Sequence, residues 1–252
     1  MDDTLRRVVV VALAVVLVAA LGGAVSAQSP QQTNQAVLDE LRQIRQLLER
    51  LAGAPSRAAV PEANRRVELS TVGGHMIGKP DAPLTMVEFT DLQCPFCRHF
   101  YMTTFEHVKT AYIDTHKLRY FSRDVPLEAI HPLAMSAARA ARCAGAQGRF
   151  WEMRHAILMN NAALTLDTFI SQAEALQLDP SRFSGCFSDA SAFQKEIRQD
   201  LSDAERAGVT GTPSFVLGRT SGDTLDGVLM IGAQPFEAFD AQLKALLAEV
   251  GH

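Results

Sequence analysis

Two cysteines one helical turn apart, Cys94-Pro95-Phe96-Cys97, follow directly on an apolar run from Leu84 to Phe89. Proline suits the first position of a helix, where its missing N–H removes nothing and its fixed φ is already helical. The pattern therefore predicts a strand, a short turn, and a helix whose N-cap is Cys94. That places a sulfur where unpaired amides and the helix dipole favour negative charge. A thiolate is the species that attacks a disulfide, so the spacing points to a redox-active dithiol.

The N-terminus says where such a pair can work. Arg6-Arg7 precede an apolar stretch, Val8 to Leu21, followed by Gly22-Gly23 and Val25-Ser26-Ala27. This is the basic, apolar and small-residue order of an export signal, residues 1–27, with cleavage expected after Ala27. The alternative is an uncleaved anchor, because Val8 to Ala27 carries no charge and is about long enough to span a bilayer. Both readings take the rest of the chain out of the cytoplasm, to a periplasm or cell surface where disulfides persist. The formal net charge is −4 over 252 residues, without a basic run, which speaks against a nucleic-acid partner. With four cysteines in all, the chain cannot be a small disulfide-stapled scaffold and needs an apolar core.

Residues 28–52 predict an amphipathic helix. Val37, Leu41, Ile44, Leu48 and Leu51 recur at steps of 4, 3, 4 and 3, flanked by Asp39, Arg42, Arg45 and Glu49. A 3.5-residue period makes a coiled-coil seam, and residues 37–51 are a candidate for homo-oligomer formation. So short a helix needs a partner, which is either another copy or its own domain. Residues 53–66, opening on Gly53-Ala54-Pro55-Ser56, read as a linker.

From residue 67 onward the order is strand, helix, strand, helical block, hairpin, helix. Arg66 to Leu69 predicts a short strand, and Leu84 to Phe89 one covered on both faces. After Pro95 the apolar positions Cys97, Tyr101, Phe105, Val108 and Tyr112 share one helix face. Cys97 then points inward and Cys94 stays at the exposed end. Leu118 to Ser122 is the next strand. Residues 127–207 are read as helical: Ala134 to Ala146, Arg149 to Met159, Leu166 to Leu178, a break at Asp179-Pro180, and two further helices up to Arg206. Ser214 to Leu217 and Val228 to Ile231 read as strands around a polar loop from Gly218 to Gly227, before a last helix, Phe236 to Val250. The fold class is α/β, with an all-helical insertion.

Four segments carry a family resemblance in order: Val87-Glu88-Phe89-Thr90-Asp91-Leu92-Gln93-Cys94-Pro95-Phe96-Cys97, Gln147-Gly148-Arg149-Phe150-Trp151-Glu152, Gly208-Val209-Thr210-Gly211-Thr212-Pro213 and Gly232-Ala233-Gln234-Pro235. Residues 67–252 resemble the DsbA-like branch of the thioredoxin superfamily, exported bacterial thiol:disulfide oxidoreductases. The resemblance implies a thioredoxin fold, Cys94 as the nucleophile that forms mixed disulfides, and Cys97 as the resolving thiol. It implies a Thr212-Pro213 loop facing the dithiol with Pro213 cis, where an extended client segment pairs as an added strand. Read from Gly-Thr-Pro alone, Pro213 would be an ordinary trans proline opening a strand.

Glu88 falls on the same strand face as Leu84 and Met86 and six residues before Cys94, where the family keeps a buried acid. A buried carboxyl there can take and return the Cys97 proton; the other reading is a solvated Glu at the sheet edge. Cys143 and Cys186, forty-three residues apart, read as a structural disulfide between insertion helices, or as two buried free thiols.

No cofactor is expected. Two thiolates are half a zinc site, and neither His75 nor His99 stands at ligand spacing, so no metal site is assigned. A thiol carrier that holds copper(I) or client remains the rival from the binding class. The expected partners are unfolded or misfolded exported proteins and a membrane redox partner that resets the dithiol. Phe96 stands where the family's strong oxidase archetype has a histidine, so the sequence leaves oxidase and isomerase open.

Overall fold

The computed structural model describes residues 38–46 and 65–250, which belong to two separate units. In the first, residues 38–46 form a helix (α1) that exposes Leu38, Leu41 and Ile44, with Arg42 paired to Asp39 at 2.9 Å. The export or anchor segment 1–27, the seam positions Val37, Leu48 and Leu51, and linker residues 53–64 lie outside the described residues.

The second unit is built on a six-stranded sheet: β1 (Arg66–Ser70), β2 (His75–Ile77), β3 (Leu84–Thr90), β4 (Leu118–Asp124), β5 (Ser214–Ser221) and β6 (Thr224–Ile231). Its order is β1-β6-β5-β3-β4-β2, with β3 and β4 parallel and every other neighbour antiparallel. All seven residues of β3 are buried, as its run of apolar side chains on both parities requires. The β3–β4 crossover is α2, which starts as Pro95–Phe100 and runs on through π-helical turns Tyr101–Phe105 and Lys109–Ile113. The apolar steps of α2 average slightly more than 3.6 residues. The wider π turns keep Phe105, Val108 and Tyr112 facing the sheet.

Helices cover both faces of the sheet. On one, Leu84, Met86, Tyr120, Phe215 and Leu217 pack against α2 and the terminal helix α8 (Phe236–Val250). On the other, Val87, Phe89, Val216 and Leu229 meet Ala204 and Ala207 of α7 (Gln194–Ala207). The insertion also contains α3 (Ala134–Gly145), α4 (Phe150–Met159), α5 (Leu166–Ala175) and α6 (Pro180–Ser188). Its core of alanines, Phe150, Phe169 and Phe183 is continuous with Leu92, Cys94 and Cys97. Asp179 ends the run before α6 and caps α6 itself, accepting from Arg182 N at 2.8 Å with Pro180 in the first turn. Cys143 of α3 and Cys186 of α6 are disulfide-bonded, with Cα atoms 5.8 Å apart.

The structure corrects three details of the sequence reading. The hairpin has no long loop: β5 and β6 run on to Ser221 and Thr224, and Gly218 pairs with Gly227 inside the ladder. A Cβ on Gly218 would lie 2.0 Å from the Asp226 carbonyl, so the glycine serves close strand approach rather than a turn. β2 follows the Gly73-Gly74 turn and pairs antiparallel with β4, although three residues leave too little pattern to read as a strand. β1 starts at Arg66, the last residue of the linker range, and Arg65 already donates to the Ala207 carbonyl at 2.8 Å.

Candidate active site

The site lies where β3 gives way to α2. Cys94 has extended backbone angles (φ −67°, ψ 126°) and occupies the N-cap, with Pro95 in the first turn. Its N–H donates to the Asp91 carbonyl at 3.0 Å, and its own carbonyl accepts from Arg98 N at 3.1 Å and from Asn161 Nδ2 at 3.1 Å. Asp91 fixes the turn from the other side. Its carboxylate accepts from the N–H groups of Gln93 (2.8 Å) and Leu127 (2.9 Å) and lies 2.8 Å from His131 Nδ1. Gln93 Oε1 accepts from Leu133 N at 2.7 Å, so the segment after β4 is laced to the redox turn.

Both thiols are free and buried. The expectation of an exposed Cys94 is corrected: it is 3% exposed, while Phe96 beside it is 64% exposed. What covers the sulfur is the loop before β5, where the Thr212-Pro213 peptide is cis. The Cys94 thiol donates to the Thr212 carbonyl at 3.4 Å. The Thr212 hydroxyl is buried with no other partner and is one of the groups that favour the ionised sulfur.

The two thiols are driven apart in acidity. Cys94 is lowered from 9.0 to about 6, first by a hydrogen bond from the Cys97 thiol, with Thr212 and the N–H groups of Cys97 and Phe96 adding to it against the cost of burial. Cys97 is raised well above 9.0, first by burial, then by its partnership with Cys94 and the negative charge of Glu88. The Asp91 N–H approaches the Cys97 sulfur at 3.4 Å.

Glu88 is wholly buried on β3, not at an edge. One carboxylate oxygen, Oε2, accepts from Arg154 Nη2 of α4 at 2.5 Å and from the Tyr120 hydroxyl of β4. The other, Oε1, is buried without a hydrogen-bond partner. Arg154, Tyr120, His131 and Asn161 are additions that sequence reasoning missed. Each reaches the site across more than thirty residues, and only the Gln147 to Glu152 segment preceding Arg154 marked that part of the insertion. Among the described residues, no cluster of three or more His, Cys, Asp or Glu side chains is placed to hold a metal ion.

A dithiol whose first cysteine is the N-cap of the helix after a central strand, faced by a cis-proline loop, defines a thioredoxin-fold protein. The Thioredoxin family model matches residues 70–245, and the chain belongs to this family. Among solved structures, alpha-DsbA1 of Wolbachia pipientis is 25% identical, with a TM-score of 0.64 over 72% of this chain and 94% of that one. BdbD of Bacillus subtilis, in its oxidised form, has the same fold at 18% identity, with a TM-score of 0.64 over 74% of this chain and 99% of that one.

Curated relatives include a Na(+)/H(+) antiporter NhaA 3 of Salinispora tropica, 36% identical over 141 residues, or 56% of this chain and 21% of that protein. A second, the Na(+)/H(+) antiporter NhaA 1 of Mycolicibacterium gilvum, is 35% identical over 161 residues, or 63% of this chain and 26% of that protein. The matched part thus spans about a quarter or less of those relatives. Among the described residues no helix is long and apolar enough to cross a membrane.

Proposed function

We propose that this chain is a thiol:disulfide oxidoreductase that passes its Cys94–Cys97 disulfide to exported proteins. The observation that carries this reading is the pairing of a thiol lowered to about 6 with one raised well above 9.0, both against the cis-Pro213 loop. A client thiolate attacks Cys94 Sγ. The Cys94–Cys97 bond breaks, and Cys97 leaves as a thiolate that takes up a proton. A second client thiolate then attacks the client sulfur of the mixed disulfide, so the client disulfide forms and Cys94 leaves as thiolate. At pH 7 that leaving group is stabilised relative to an ordinary client thiol near 8.5, which favours donation of the disulfide.

Glu88 is proposed to exchange the Cys97 proton, and the edge beside Thr212 to receive an extended client segment. The Cys143–Cys186 bond suits an oxidising compartment, in keeping with the export signature of residues 1–27. A membrane redox partner is proposed to reoxidise the dithiol. The exposed Leu38, Leu41 and Ile44 of α1 favour one further reading, self-association through residues 37–51, which would turn the same chemistry toward isomerisation.

Refolding of a reduced client and of a scrambled client, by full-length protein and by protein lacking residues 28–52, separates these readings. Donation predicts faster oxidation of the reduced client by both forms. An isomerase predicts rescue of the scrambled client that is lost with residues 28–52. Cys97→Ala is expected to accumulate mixed disulfides through Cys94, and a variant that traps none would sink the oxidoreductase reading.

A further inference from the structure

Arg154 is a fully buried charge, paired with Glu88, that the reaction above leaves unused. It lies in the helical insertion, yet its guanidinium is buried against the sheet, 5.2–5.8 Å from the ring centroids of Tyr101, Trp151 and Phe105. Such an aromatic cage suits a planar cation and limits how the side chain can lie. Its Nη2 reaches Glu88 Oε2, the same oxygen that the Tyr120 hydroxyl takes. Two donors on one oxygen fix the rotation of the carboxylate and leave Oε1 bare, although it is buried. Bare buried acceptors are rare and ask for an explanation.

We infer that Arg154 is a positioning residue: with Tyr120 it clamps Oε2 so that Oε1 stays open as the acceptor for the Cys97 proton. The inference rests on the proposed role of Glu88. In the resolving step the Cys97 thiol gives its proton to Oε1. The Cys97 sulfur then attacks Cys94 Sγ of a mixed disulfide, the Cys94–Cys97 bond forms, and the partner leaves as thiolate. In the donating direction the same proton returns from Oε1 to the departing Cys97 sulfur. Without Arg154 the buried carboxylate has no counter-charge and is neutralised by a proton, which occupies the acceptor. The insertion thereby bears on the chemistry of the inner thiol while leaving the outer thiol to its own donors.

The test follows reduced full-length protein reacting with oxidised glutathione, quenched in acid and weighed as intact protein across pH 5 to 9. The first step, formation of the Cys94–glutathione adduct, is expected to match wild type within about twofold in Arg154→Met. It also reports a folded site. The second step, loss of the adduct as Cys97 attacks, is expected to slow by about tenfold or more, with its pH profile moved to higher pH. Arg154→Lys should recover part of the rate, since an ammonium supplies the charge and one donor but cannot lie flat among the rings of Tyr101, Phe105 and Trp151. Should Arg154→Met fail to fold, Arg154→Lys and Tyr120→Phe carry the test, each expected to slow only the second step.

Glu88→Gln separates the two claims. If it slows the second step while the Arg154 and Tyr120 variants keep the wild-type rate and profile, the clamp is overturned and the acid stands. If Glu88→Gln itself resolves at the wild-type rate, the role of Glu88 falls and the clamp with it.

Discussion

The thiol of Cys94 donates to the carbonyl of Thr212, 118 residues further along the chain, at 3.4 Å. A thiolate has no proton to donate, so ionisation reverses the demand: the sulfur then needs donors, and the Thr212 hydroxyl, which has no other partner, is one. The rate of alkylation of the reduced protein should rise with pH to half its maximum at about 6. Thr212→Val removes the hydroxyl at nearly constant volume and should move that midpoint up by about one unit, the size of one hydrogen bond to a charged group. A midpoint unmoved in Thr212→Val would leave the stabilisation to the Cys97 thiol and the helix amides alone.

Phe96 presents its ring to solvent at the first turn of α2 and contributes only its backbone N–H to the Cys94 sulfur. A cationic side chain at that position adds a favourable charge without disturbing any packed core. Phe96→His should therefore lower the Cys94 midpoint by roughly one unit or less below pH 6.5, where the imidazole is protonated. The fold should be unaffected. Equilibration with glutathione near pH 6 should show the variant holding less disulfide than wild type, because a stabilised thiolate favours the reduced form. An unchanged equilibrium would mean that the exposed ring points its substituent away from the sulfur.

The Cys143–Cys186 bond closes a 43-residue separation between α3 and α6. By loop-closure arguments that cross-link restrains the unfolded chain by ~4 kcal/mol. The double variant Cys143→Ala with Cys186→Ala should lose on the order of that amount in urea unfolding, while the Cys94 titration stays near 6. A shift in the Cys94 midpoint would show that the insertion helices control the outer thiol as well as the fold.

What the sequence revealed and what it hid divide by distance along the chain. The N-cap position of Cys94 rests on Pro95 and the helix that follows, all within one turn, and so it is readable locally. The same holds for β3, whose seven residues carry their burial in their own composition. The cover over Cys94 comes from Thr212, and the pairing of Glu88 with Arg154 spans 66 residues, so neither leaves a periodic trace. Gly218 and Gly227 misled for a related reason. Glycine marks both a turn and a close strand crossing, and only the cross-strand partner, absent from the local pattern, tells them apart. The real turn sits at Gly222-Asp223, where Gly222 has a φ of 58°.

Behind the redox turn lies a buried ionic network that joins the insertion to the sheet. Arg142 of α3 donates from Nε to Asp124 at the end of β4 (2.6 Å) and pairs with Asp200 of α7, whose Oδ2 also accepts from the Asp124 N–H at 3.0 Å. Arg123 pairs with Asp203 and donates to the carbonyls of Ser70 (2.6 Å) and Val72 (2.9 Å). Burial first, and the charge of Asp124 second, push Asp200 up to about 7. An unfolded aspartate titrates near 3.9, so between about pH 4 and pH 7 the native state holds a proton that the unfolded chain has released. That proton contributes stability in full below about pH 4, and the contribution is lost as pH rises through 7. Asp200→Asn binds no proton there, yet its amide oxygen can still accept from the Asp124 N–H. The stability of wild type relative to Asp200→Asn should therefore fall across that window, by up to about tenfold in the folding equilibrium per pH unit. Urea midpoints at pH 4.5, 5.5, 6.5 and 7.5 measure it. A difference that stays flat would place the shared proton on Asp124 instead, whose carboxyl is also raised by burial. In that case Asp124→Asn should be the variant that abolishes the slope.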